Sequence, residues 1–125
     1  MKLTRVFLTL GSANALIAVA AGAVGAHALK QGFSTGQQAL FQTAIQYHMF
    51  HAIGLLIVGV VATLRPPSAL LAWAGALMFV GIVLFCGSLY VGATTDLRGV
   101  SVAAPFGGGA FMVSWVLLAV AGIKR

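Results

Sequence analysis

The chain has 125 residues, of which 61% are hydrophobic and 6% charged, and its mean hydropathy is +1.07. Soluble domains carry about 25% charged residues, so this composition excludes a water-soluble fold. A net charge of +6 would suggest nucleic acid in a soluble protein, but here the cations stand singly or in pairs at the ends of apolar windows, where they set topology and leave no nucleic-acid partner to expect.

Lys2 and Arg5, Lys30, Arg65, Asp96 with Arg98, and Lys124 with Arg125 bound four windows. Each is long enough, at about 1.5 Å rise per residue, for a helix to cross about 30 Å of hydrocarbon. The pattern predicts an all-α, four-transmembrane-helix bundle, a single integral membrane domain over residues 1–125 with spans near 6–29, 40–64, 69–93 and 102–123.

Span one, Val6 to Leu29, begins like a secretory signal, but signal cores run about 7–15 residues, so it is expected to stay as a span. At about 100° per residue, Gly11, Ala15, Ala18, Gly22 and Gly25 fall on one stripe with Asn14 beside it. Small residues let helix backbones approach in lipid, so this face should pack on another helix, with the Asn14 amide bonding across the contact. On this reading Gly22→Leu disrupts packing far more than His51→Ala.

In span two, Gln38, Gln42 and Gln46 recur every four residues, which predicts a helix starting near Thr35 with a polar stripe at the outer interface. Arg65-Pro66-Pro67-Ser68 reads as a tight turn, because Pro-Pro cannot continue a helix and Arg anchors the end in headgroups. Span three carries a sparser stripe at Gly81, Ser88 and Gly92, with Trp73 in the inner aromatic belt. The single cysteine, Cys86, permits no intramolecular disulfide and reads as a reduced packing residue. Span four opens with Gly107-Gly108-Gly109, then Ala110 and Ser114, and Trp115 lies deep enough to pack over small neighbours.

Lys2, Arg5, Arg65, Lys124 and Arg125 fall on one side, against Lys30 and Arg98 beside Asp96 on the other. Since Lys and Arg are retained in the cytoplasm, both termini are expected there, and the loops around 30–40 and 94–101 face outward. The expected location is the bacterial inner membrane.

Gly22-Ala23-Val24-Gly25-Ala26-His27-Ala28-Leu29, Tyr47-His48 with His51 and Gly54-Leu55, Phe85 with Gly87-Ser88-Leu89-Tyr90, and Pro105 with Gly107-Gly108 and Trp115 stand in one order along the chain. These blocks resemble the small four-helix membrane family of unassigned function that includes bacterial YgdD and YwdK and the animal transmembrane protein 256. The resemblance covers essentially the whole chain and implies the same four-span architecture, without an activity. Cys86 stands where the family usually has Ser, and Ala104 where it usually has Thr, so a role needing either hydroxyl is not expected here.

His27, Tyr47, His48, His51, Ser88 and Tyr90 collect toward the outer half of the spans, with Cys86 nearby, and polar groups in lipid usually face protein or a water-filled cavity. They form a candidate polar pocket. His48 and His51, three residues apart, can present two imidazoles to one metal, and His27 would be a third ligand of a copper, zinc or haem site, joined by Cys86 if the helices are aligned. An uninterrupted helix points His27 about 160° from the small-residue stripe, so that site needs a break near Gly25 or a span one that contacts helices on two sides. The leading reading is that each histidine is bonded to a carbonyl, a Tyr hydroxyl or water and that Tyr47 and Tyr90 are belt residues, with the metal or haem site and a pH-sensitive contact as the alternatives.

Paired carboxylates, a Ser-His-acid set, a phosphate loop ending in Lys and an intramembrane acid are all missing from the sequence, and no catalytic residue is assigned. The leading expectation is a non-enzymatic membrane protein acting through helix contacts, in assembly or envelope maintenance, with lipids, further copies or other membrane proteins as partners. A histidine-based metal, haem or quinone accessory and an oligomeric small-solute or lipid channel resting on Asn14 are the alternatives.

Overall fold

The computed structural model describes residues 2–28, 32–95 and 99–124, so the readings for Leu29, Lys30, Asp96, Arg98 and Arg125 lie outside the described residues. The fold is all-α. In chain order come α1 (Lys2–Ala28), α2 (Thr35–Leu64), α3 (Ala69–Gly81), a π-helical turn (Ile82–Cys86), α4 (Gly87–Thr94), a short 3-10 turn (Gly99–Val102) and α5 (Ala103–Ile123). α3, the π turn and α4 form one continuous third helix, Ala69–Thr94, and among the described residues four helices are long and apolar enough to cross a membrane.

Local chemistry sets the helix ends. Ser34 caps α2: its hydroxyl accepts from the Gln37 amide at 3.1 Å, while the Gln37 side chain accepts from the Ser34 amide at 2.9 Å, a reciprocal capping box. Gln38 donates back to the Phe33 carbonyl at 3.0 Å, so part of the glutamine stripe serves to start the helix. After Leu64 the two prolines end the helical path, and Ser68 caps α3 through the Leu71 amide at 3.3 Å. Pro105 stands in the first turn of α5, where a missing N–H costs no helical bond.

The outward surface is apolar, with Leu16, Ile17, Val19, Phe50, Met112 and Val116 all exposed, as expected when the solvent is hydrocarbon. α1 packs along α2, α5 along the third helix, and α2 meets the third helix between them. On α1 the buried positions are Phe7, Gly11, Asn14, Ala18 and Gly25, with Ala15 and Gly22 half-buried; Phe7 reaches α3, whereas Gly11, Asn14 and Gly22 meet α2. The closest approach there is at Gly11, where an added Cβ would come within 2.9 Å of the Ala52 carbonyl; at Gly22 it would meet only Ile45, at 4.0 Å. Gly11 is therefore the tighter of the two contacts.

Bulky side chains from neighbouring helices fill other glycine notches. The Phe7 ring occupies the space over Gly75, Phe111 that over Gly81, and Leu8 lies against Gly59. The space at Gly92 is freer, with Leu40 at 3.9 Å from a built Cβ. Leu55, Val58, Met78 and Ile82 fill the centre between these contacts. Because Phe7 and Leu8 meet Gly75 and Gly59, and Arg65 reaches the end of α5, the first turns of α1, the α2–α3 turn and the last turn of α5 share one end of the bundle, termed proximal below.

Candidate functional site: two histidines of the second helix

His48 is buried and ties three helices together. Its Nε2 lies 3.0 Å from Asn14 Oδ1 on α1, and its Nδ1 lies 3.0 Å from the Tyr90 hydroxyl on α4. The Asn14 Nδ2 donates to the Leu10 carbonyl at 2.8 Å, which orients the amide so that its oxygen faces the imidazole. Nε2 therefore donates to Asn14, and in the neutral imidazole Nδ1 accepts from Tyr90. Asn14 sits near the middle of α1, so this cluster lies at mid-depth in the bundle.

His51 is buried three residues on, yet none of its partners is shared. Its Nδ1 donates to the Tyr47 carbonyl at 2.8 Å, the vacant lone pair of the preceding turn, and its Nε2 accepts from the Trp115 indole N–H at 3.0 Å. A carbonyl can only accept and an indole N–H can only donate, so the tautomer is fixed. The ring stacks on Phe111 of α5 at 3.5 Å with 10° between planes. As neutral imidazoles, His48 and His51 thus carry the proton on opposite nitrogens.

The π turn positions the wall beside His51. The Gly87 amide reaches back to the Ile82 carbonyl, the five-residue step that widens the helix, and the Ser88 hydroxyl donates to the Phe85 carbonyl at 2.8 Å. Gly107 of α5 packs directly on the Phe85 backbone, with no room for a side chain, while Gly108 has the Phe85 ring 3.9 Å from a built Cβ. Phe85 is thereby placed against Tyr47 at 4.8 Å and Phe111 at 5.7 Å between ring centroids. Between α2, the π turn and α5 lies a cavity of about 500 Å³, walled by Tyr47, Phe50, His51, Phe85, Phe111 and Trp115.

The structure separates the residues expected to form one pocket. His27 is exposed at the end of α1 and takes no part in either cluster, so α1 does not break near Gly25 to bring it inward. Among the described residues no three His, Cys, Asp or Glu side chains come close enough to hold a metal ion. The lone pairs of His48 Nδ1 and His51 Nε2 are already taken by Tyr90 and Trp115, so ligation at either requires breaking a buried hydrogen bond. Ser88 and Cys86 are buried, Cys86 as a free thiol, and Tyr90 packs edge-on against Phe41 at 5.3 Å.

Trp115 and Asn14 carry the clusters, although the sequence pattern places neither in the polar pocket. The signal for Trp115 was its depth: an indole N–H far from the interface needs an acceptor inside the protein. Its ring also covers Gly54, 3.3 Å from a built Cβ. Phe111, four residues before Trp115, gave no polar signal.

A family model described as "Protein of unknown function (DUF423)" matches residues 21–108, a stretch that holds both histidines, Tyr90 and Gly107 but neither Asn14 nor Trp115. The UPF0382 membrane protein YwdK of Bacillus subtilis is 42% identical over 120 residues, covering 96% of this chain and 98% of that protein. UPF0382 membrane proteins of Staphylococcus epidermidis and Staphylococcus saprophyticus are 40% and 39% identical, over 96% of this chain and 97% and 98% of their own lengths. No solved structure matches the chain.

Proposed function

The chain belongs to the DUF423 family and is a membrane protein, and from that premise we propose that it is a non-enzymatic four-span bundle of the bacterial inner membrane, with both termini cytoplasmic. It acts through helix and lipid contacts, in assembly or maintenance of the envelope. One observation carries this reading: among the described residues, every buried polar side-chain atom except Thr4 Oγ1 has a partner inside the protein. Asn14, His48 and Tyr90 satisfy one another, His51 is held by Trp115 and a carbonyl, and Ser88 and Ser114 donate to their own helices. Closed polar networks of this kind stiffen a bundle and offer no activated nucleophile, general base or open ligand position.

The purified protein in lipid nanodiscs tests this directly. The expected result is an absorption spectrum without a Soret band and a metal content well below one ion per chain. A stoichiometric haem or metal lost on His51→Gln, with the helical circular-dichroism signal retained, overturns it. The aromatic cavity beside His51 favours one second reading, a flat-ring ligand such as a quinone, and the same preparation extracted with organic solvent reports it. An oligomeric channel needs its polar path between copies, since Asn14 is spent on His48.

A further inference from the structure

At the proximal end, a cavity of about 290 Å³ lies between the α2–α3 turn and the end of α5, lined by Arg65, Ser68, Leu71 and Lys124 among others. Arg65 is held in place by three carbonyls that the last turn of α5 leaves without helical partners: Nη1 donates to Ala121 at 2.8 Å and to Lys124, and Nη2 to Gly122 at 3.0 Å. A guanidinium has five N–H donors, so two remain, on Nε and Nη2, without a partner among the described residues. The Lys124 side chain likewise has none, and it is exposed. The first amides of α3, at Ala69 and Leu70, open on the same turn and precede the first intrahelical bonds.

Among the described residues there is no Asp or Glu side chain to neutralise these cations, since the one acidic side chain of the sequence, Asp96, falls in the stretch between Thr95 and Gly99. Lys2 and Arg5 add two more positive charges at the proximal end. A basic cavity at the end of four spanning helices sits at headgroup depth, with the buried Leu71 forming part of its apolar lining.

We infer that this cavity holds the phosphate of one anionic phospholipid, bound by the two remaining Arg65 donors and the Lys124 ammonium. Arg65 is pre-ordered by its carbonyl bonds, so little side-chain freedom is lost when the lipid docks. The inference rests on the membrane placement of the bundle and is independent of whether the protein has an activity.

Native mass spectrometry of the full chain, released from micelles doped with phosphatidylglycerol or with phosphatidylcholine, tests it. One retained phosphatidylglycerol is expected, preferred over phosphatidylcholine by about fivefold for each cation in contact. Lys124→Gln should reduce that preference by about fivefold, whereas Lys2→Gln, outside the cavity, should leave it unchanged. Arg65→Gln should reduce it further, but it also uncaps α5, so Lys124→Gln is the variant that keeps the test independent of folding. Equal retention of the two lipids overturns the site, as does an equal loss in Lys2→Gln and Lys124→Gln. Displacement of the lipid by inorganic phosphate at equal concentration would show a simple anion site and overturn the lipid assignment.

Discussion

His48 and His51 lie one turn apart on α2 and differ in nearly everything else. His48 is held by hydrogen bonds to side chains of α1 and α4, Asn14 and Tyr90, with the Tyr90 ring edge-on to it at 5.7 Å. His51 is held by aromatic surface: it is stacked on Phe111, faces Trp115 and bonds a carbonyl of its own helix. Three residues rotate a helix by about 300°, so the two rings point about 60° apart. Because α2 lies between α1 and the other helices, that angle is enough to direct one ring to α1 and the other to α5. Spacing that suggests a shared ligand on an isolated helix instead produces two separate struts.

The largest effect should come from Gly107→Leu, which pushes α5 off the Phe85 backbone and so breaks the His51 side of the comparison alone. Overpacking of this kind costs about 1–3 kcal/mol, more where backbone is the obstacle. Thermal unfolding in micelles, followed by circular dichroism, should show the deepest loss here. Asn14→Leu attacks the other side by leaving the His48 Nε2–H buried without an acceptor, at about 1–2 kcal/mol. The double variant Asn14→Leu with His48→Leu should recover part of that loss, and a strictly additive result would show that the two residues are not coupled.

Trp115→Phe is a milder cut. It keeps ring packing and removes the N–H that His51 accepts, so a loss of about 0.5–1 kcal/mol is expected, with no change at His48. His27→Ala should be the smallest, within about 0.5 kcal/mol of the parent, since the side chain is exposed and belongs to neither cluster. A loss comparable to that of Asn14→Leu would place His27 in a contact that the structure does not contain.

The four-helix class was legible because hydrocarbon tolerates so few charges that the cations alone mark where helices end. The start of α2 at Thr35 was legible for a similar local reason, as the Gln38, Gln42 and Gln46 period continues a helix past its apolar part. The histidine partners were not, because which helix a side chain meets depends on where α2 stands in the bundle. Nor was the π turn, since Ile82 to Cys86 reads as an ordinary apolar helical segment and the widening lies where Gly107 of another helix meets Phe85. Arg65 had a further role that the local sequence could not show, for the α5 carbonyls it caps lie 56 or more residues away.

Nitrogen-15 solid-state NMR of histidine-labelled protein in bilayers tests the central claim most directly, with His48→Gln and His51→Gln used to assign the signals. Two neutral buried imidazoles of opposite tautomer are expected, the proton on Nε2 in His48 and on Nδ1 in His51, with the His51 signal alone moving in Trp115→Phe. The same tautomer at both positions, or both signals shifted together by one added metal, would contradict the picture of two independent struts.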